Sequence, residues 1–354
     1  MRVMADMLVA AQDLEGRVLK TGWLVTKKVS KRKTDTGGNF SVCYEVEKDG
    51  KKCFLKAIDF SRYLSIKPDG VSVIDLLNKM TSDFKYERDL SKFCQERRVK
   101  KVAFVIDSGE EELEGYTYGI VPYLIFEMAD GDVRAMLAYS AKLDFAWKMN
   151  SLHDIALGLN HLHSVGVSHQ DLKPSNILLF NKDSKIGDLG RALCPSIDKE
   201  MLNVEFHGDY NYAPPEILYN YILPDWNERT FLADCYMLGS MVVFYLTGSS
   251  MNAILFSHLP KDLHPMRSKV SYTTVKDYLT NAFETSLENI GKQVPYDSLR
   301  ERLMNVVKYL CCPDPERRGH PKTIASRDSN YNLERFVSEF NYLHRVAERE
   351  LLKG

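Results

Sequence analysis

The sequence predicts an α+β protein of two lobes, a small strand-rich one followed by a larger, mainly helical one. Three observations carry that expectation. From Trp23 to Met128, short apolar runs of β type alternate with turn residues. Beyond Asp132, apolar residues recur at three- and four-residue intervals. The chain is also 354 residues long, more than one ordinary hydrophobic core accommodates.

Taken in order, residues 1–20 read as a short helical extension, with Met7, Leu8, Ala11 and Leu14 at helical spacing. Residues 21–128 form the small lobe. Its strands are expected at Gly22–Val29, Phe40–Glu47, Lys52–Ile58, Val102–Asp107 and Tyr116–Met128, with Asp49-Gly50 and Ser108-Gly109 as hairpin turns. One helix interrupts them, opening at Thr81 or Ser82 and running to Cys94. After a linker near Glu127–Gly131, residues 129–354 form the helical lobe and end in a helix. Leu152, Ile155, Ala156, Leu159 and Leu162 line one face, and the pattern repeats at Leu232–Leu246, Val275–Phe283, Leu299–Leu310 and Leu333–Leu351.

Composition narrows the function classes. Hydrophobic residues make up 44% and charged residues 27%, a globular balance. A net charge of −1 supplies no field to recruit nucleic acid or an anionic membrane. The longest strongly apolar run, Met237–Gly248, is too short to span a bilayer and reads as a core helix. No secretory leader is expected in residues 1–20, where Asp6, Gln12, Asp13 and Glu15 break the apolar pattern. Seven cysteines without a CxxC pair argue for a reducing compartment, so the expected location is cytoplasmic.

The chemistry concentrates in Ser168–Phe180 (SHQDLKPSNILLF), where Asp171 is followed by Lys173 and Asn176 in a tight polar loop. The loop sits between a helix and an apolar strand, a rigid frame of the kind that carries catalytic groups. Taken alone, it also reads as a solvated turn broken by Pro174. A second aspartate, Asp188, follows at a glycine-flanked turn, and an amide oxygen with a carboxylate suits a divalent cation. Upstream, Lys56 is a charge inside the apolar run Phe54–Ile58. Glu87 shares a helix face with Phe84, Leu90 and Cys94, where an unpaired carboxylate would be costly, and Lys56 is its natural partner.

With these residues in view, HQDLKPSN resembles the catalytic loop of eukaryotic-like serine/threonine protein kinases, in the style of bacterial stand-alone members. The resemblance covers about residues 21–345 and implies the bilobal protein kinase fold. It implies Asp171 as the base for a substrate hydroxyl, Lys173 as the charge that meets the transferred phosphoryl group, and Asn176 with Asp188 as ligands of Mg²⁺, for which Mn²⁺ can substitute. Further, it implies ATP contacts from Gly37, Gly38, Ser41 and Cys43 in a Gly-rich loop, from the Lys56–Glu87 pair, and from Glu127, Met128 and Asp132 at the hinge. Phe126 looks like a large gatekeeper. Later segments are similar to the family's structural marks: Tyr212–Glu216 (YAPPE), Asp234–Gly239 opening an apolar helix, and Asp314–Arg318, with Arg318 pairing Glu216.

Three departures stand out. Thr36, Ser41 and Cys43 replace two glycines and a valine of the Gly-rich loop. Gln170 replaces the arginine that pairs with an activation-segment phosphate, and a glutamine cannot make a charge-assisted bidentate contact. Asp209 replaces a threonine beside the catalytic residues, where a carboxylate can pair with Lys173 or perturb Asp171. The expected activity is transfer of phosphate from ATP to Ser/Thr hydroxyls of proteins and of the chain itself, with no nucleic-acid or membrane partner. A pseudokinase scaffold is the alternative. A small-molecule kinase is a further one, against which Lys173 and the Glu216/Arg318 pair discriminate.

Overall fold

A computed structural model describes residues 9–30, 41–65, 70–116, 118–139, 144–267, 269–326 and 329–353. The chain divides into two compact units: residues 1–98 with 103–130, and residues 99–102 with 131–354. The first holds strands β1 (Leu24–Lys28), β2 (Ser41–Lys48), β3 (Lys51–Ile58), β4 (Val105–Glu112) and β5 (Ile120–Glu127), with helices α1 (Phe60–Ser65) and α2 (Val73–Glu96). The second holds β6 (Gly131–Asp132), β7 (Ile177–Phe180) and β8 (Asp183–Ile186). Its helices are α3 (Val133–Tyr139), α4 (Phe145–Ser164), α5 (Pro215–Leu218), α6 (Trp226–Thr247), α7 (Met251–Ser257), α8 (Tyr272–Gly291), α9 (Asp297–Leu310), α10 (Pro321–Ala325) and α11 (Glu334–Leu351).

The first unit is an antiparallel sheet in the order β1-β2-β3-β5-β4. Asp49 and Gly50 both take positive φ, which the tight β2–β3 hairpin requires. Period-2 alternation sends Val42, Tyr44, Val46, Cys53, Leu55 and Ala57 into the core and leaves Cys43 and Lys56 on the other face. Met7 and Leu8 of the expected N-terminal helix lie outside the described residues, and residues 9–20 hold a single 3₁₀ turn, Ala10–Gln12, with Leu14 outside any helix. Ala10, Ala11, Leu14 and Leu19 are buried in the same core, and Tyr44 donates to the Ala11 carbonyl at 2.8 Å. Burial against the sheet therefore overrides the helical spacing.

Two other expectations are corrected. Ser108-Gly109 is not a turn; β4 runs straight through it, and the chain reverses at residues 113–119, where the Leu113 amide meets the Gly119 carbonyl at 2.9 Å. Glycine is needed at 109 because a Cβ there would collide with the Tyr123 hydroxyl on β5. The helix α2 starts at Val73, where Ser72 caps the Ile74 amide at 3.1 Å, and not at Thr81 or Ser82. The Thr81 hydroxyl instead donates back to the Leu77 carbonyl at 2.8 Å, so its polarity is satisfied inside the helix.

The second unit is built around α6. Asp225 caps its first turn, so Asp234 lies mid-helix and does not open it. By length and apolar composition α6 is the one described helix able to cross a membrane, but 83% of its apolar stretch is buried within the unit, the signature of a core helix. The antiparallel β7–β8 hairpin, with β6 along β7, pairs Ile177 with Ile186. No disulfide joins any of the seven cysteines. Arg318, fully buried, clamps Glu216 through two parallel bonds of 2.6 and 2.8 Å and also donates to the carbonyls of Cys312 and Leu232. Replacing Arg318 with Met strands the Glu216 carboxylate in the interior. Denaturant unfolding should show a loss of about 3–5 kcal/mol, and a loss below about 1 kcal/mol would mean the clamp is not structural.

Candidate functional site

The residues singled out from the sequence fall into two groups, one in each unit. In the first unit Lys56 projects from β3, and its ammonium lies 3.0 and 2.9 Å from the two carboxylate oxygens of Glu87 on α2. Glu87 is 6% exposed, a depth at which a carboxylate requires a cationic or hydrogen-bonding partner. Cys43 stands directly across from Lys56 in the β2–β3 ladder. Ser41, at the start of β2, is buried, with no partner for its hydroxyl among the described residues. Glu127 ends β5 and Met128 follows it. Gly37 and Gly38 lie outside the described residues.

In the second unit the loop between α4 and β7 hangs on one carboxylate. Asp234, with no exposure, accepts the His169 amide (2.8 Å) and the Ser168 hydroxyl (2.9 Å) on one oxygen and the Gln170 amide (2.8 Å) on the other. His163 Nε2 also lies 2.9 Å away. His169 then links the loop to the following turn: its Nε2 lies 3.1 Å from the Gly187 carbonyl, and its Nδ1 accepts the Asp171 amide at 3.3 Å. Gln170 takes a left-handed φ of 64° and turns inward, donating to the Ser168 hydroxyl and the Thr230 carbonyl.

This frame presents Asp171, 3% exposed, to four neighbours. Lys173 lies 3.1 and 3.0 Å from its two oxygens, and Asn176 donates to Oδ2 at 3.1 Å and to the backbone carbonyl at 2.9 Å. The Asp209 amide donates to Oδ1 at 3.0 Å, and Arg191 Nε lies 4.0 Å from Oδ2. Gly208 makes the Asp209 contact attainable, since a Cβ there would run into the Gln170 carbonyl. Asp209 itself pairs with Lys173 at 3.4 Å, so one ammonium is shared by two carboxylates. Burial pushes the Asp209 carboxyl up, but the Asn211 amide and the Lys173 ammonium outweigh it and leave the group below its ordinary value.

Asn176 and Asp188 are joined through the β7–β8 hairpin, because the Gly187 amide donates to the Asn176 carbonyl at 2.7 Å. Asp188 follows in a left-handed conformation (φ 58°) at the head of a 3₁₀ turn. No three acidic, histidine or cysteine side chains converge on a metal position among the described residues. One carboxylate and one amide oxygen are a donor set that fits Mg²⁺ carried on phosphates, since that ion keeps waters and phosphate ligands and needs no all-protein cage. Asp132 sits at the start of α3, where Oδ1 accepts the Ala135 amide at 2.9 Å.

Residues 37–328 match the protein kinase domain, and the chain belongs to that family. It is 27% identical over 220 residues to the calmodulin-binding receptor-like cytoplasmic kinase 3 of Arabidopsis thaliana, covering 60% of this chain and 40% of that protein. To the mitogen-activated protein kinase 5 of the same plant it is 33% identical over 126 residues, 35% of this chain and 32% of the relative. The mitosis inhibitor protein kinase wee1 of Schizosaccharomyces pombe is 28% identical over 261 residues, 71% of this chain and 28% of wee1. The matched stretches thus span two fifths or less of these relatives' own lengths.

Two contributors were missed or undervalued in the sequence. Arg191 carries no motif signal beyond being the basic residue after Asp-Leu-Gly. In the sequence Asp234 is no more than part of a structural segment; its burial beside three loop donors is visible only in three dimensions. The lowered Asp209 carboxyl has a measurable consequence. A folded value below the ordinary 3.8 contributes stability that is present above that pH and lost as pH falls through the folded value. The stability difference between wild type and Asp209→Asn should therefore be constant above about pH 5 and shrink below about pH 4; a difference independent of pH would show that the carboxylate is not ion-paired.

Proposed function

We propose that this chain is a protein kinase that transfers the γ-phosphoryl group of ATP to serine or threonine hydroxyls of protein substrates and of itself. The observation that carries this reading is the Asp171 carboxylate, buried and held by Lys173, Asn176 and the Asp209 amide. A carboxylate fixed in this way can accept the hydroxyl proton as the acceptor oxygen bonds to phosphorus and the bond to the β-phosphate oxygen breaks, leaving ADP. Such transfer needs positive charge around the phosphoryl oxygens and an oriented nucleophile more than covalent chemistry from the protein. Lys173, at one edge of Asp171, is placed to supply charge there. Lys56, oriented by Glu87, would meet nucleotide phosphates.

Asn176 and Asp188 would hold Mg²⁺, which when bound neutralises charge on the phosphate oxygens. Ser41, Cys43, Glu127, Met128 and Asp132 are assigned to nucleotide contacts by their motif positions. Preference for serine or threonine draws on Lys173, two residues after Asp171 as in that branch of the family. The absence of disulfides suits the cytoplasm we propose as its location.

The test is incubation with γ-labelled ATP, Mg²⁺ and a generic protein acceptor, with Asp171→Ala alongside. Wild type should yield phosphoserine or phosphothreonine. The variant should fall by about 10²–10⁴-fold while the nucleotide still raises its melting temperature. Equal transfer by the variant, or phosphotyrosine alone, would refute the assignment; nucleotide binding without transfer would make the chain a scaffold.

A further inference from the structure

If Gln170 cannot receive a phosphate, something else must hold the segment from Asp188 to Glu216. That segment offers only Ser196, Tyr210 and Tyr212 as hydroxyl side chains. Gln170 is fully buried and donates inward to Ser168 and Thr230, away from any modified side chain on the segment's surface. The segment is nevertheless tied down along its length. Asp198 caps the Glu200 amide at 2.9 Å and opens a 3₁₀ turn over Lys199–Asn203. The first turn of α6 grips that turn from outside: Trp226 Nε1 donates to the Met201 carbonyl at 3.1 Å, and Arg229 Nη2 donates to the Leu202 carbonyl at 3.0 Å. Arg229 Nη1 reaches the Leu223 carbonyl at 2.9 Å, so one guanidinium staples the segment, the loop before α6 and α6 itself. The Trp226 ring stands edge-on to Phe231, 5.6 Å between centroids, which fixes its N–H. From this grip the chain runs a few residues to His207, whose carbonyl accepts Arg191 at 3.2 Å, and to Asp209, which contacts Asp171 and Lys173.

We propose that Arg229, assisted by Trp226, is a positioning residue that holds the activation segment in its working conformation without phosphorylation, acting on the reaction through Asp209. Backbone carbonyls take the place of a phosphate as the anchor: they accept charge-assisted bonds from a permanently charged guanidinium, so the anchor is present whenever the chain is folded. The proposal rests on the kinase reading, because it concerns what keeps that site assembled.

The experiment compares wild type, Arg229→Met, Arg229→Lys and Trp226→Phe, each treated with phosphatase and confirmed as unphosphorylated by intact mass before assay. Treated wild type should keep its initial rate to within about twofold, and Arg229→Met should lose about tenfold or more in kcat/KM for the protein acceptor, with KM for MgATP nearly unchanged. Arg229→Lys, which keeps a donor, should fall in between, and Trp226→Phe should lose several-fold. A readout independent of activity accompanies them: trypsin cleavage after Lys199 should accelerate about tenfold in Arg229→Met, because the turn is released. The proposal is overturned if phosphatase silences wild type, if Arg229→Met retains wild-type kinetics and protease resistance, or if it loses MgATP binding in step with acceptor turnover, as general misfolding would give. A wild type that transfers no phosphate in any state removes the kinase reading itself, and this proposal with it.

Discussion

Much of the second unit depends on one buried carboxylate. Asp234 stands in the middle of an apolar helix, where an isolated negative charge would be untenable, and it is kept there by donors from a different part of the chain. The dependence runs both ways. Without Asp234 the amides of His169 and Gln170 and the Ser168 hydroxyl would lose their acceptor in the core, and without those donors Asp234 would be an uncompensated charge. The loop therefore has little freedom to move, and Asp171, one residue further on, inherits its position. For the function proposed above this is preorganisation: the cost of orienting Asp171 would be met during folding and not during reaction.

Ion pairs elsewhere act in the same way. The Lys56–Glu87 and Arg318–Glu216 pairs are buried enough that desolvation cancels much of the Coulomb attraction, so their value lies in fixing which residues meet. The Lys173 ammonium differs because it is shared. Two carboxylates, Asp171 and Asp209, draw on it, while the guanidinium of Arg191 approaches from the solvent side with half its side chain exposed. A threonine at 209 would offer a neutral hydroxyl; the aspartate adds a full charge beside Asp171 and is itself steadied by Asn211 through its amide (3.0 Å) and side chain (2.8 Å).

Spacing, turn chemistry and a few charges that needed partners could be read in the sequence; how distant segments pack could not. The hairpin at Asp49-Gly50, the strands on either side of it, and the amphipathic helices of the second unit follow from spacing and turn chemistry. The sequence also pointed to the pairing of Lys56 with Glu87, because a charge among apolar neighbours implies a partner. Tertiary packing decided the failures. Leu14 has helical spacing yet packs on a sheet, Gly109 marks a tyrosine crossing rather than a turn, and Thr81 looks like a cap but bonds back within its own helix. Arg229 and Trp226 gave no signal at all, since their partners are backbone carbonyls whose positions no side-chain pattern encodes.

The most direct test of this account is the turnover of Asp234→Asn. The amide keeps the size of the carboxylate but turns one acceptor into a donor facing other donors, so at least one loop bond must break. With the protein folded by circular dichroism, kcat for acceptor phosphorylation should fall by about thirtyfold or more while KM for ATP changes far less. A variant that turns over at the wild-type rate would contradict the claim that this carboxylate holds the loop carrying Asp171 in place.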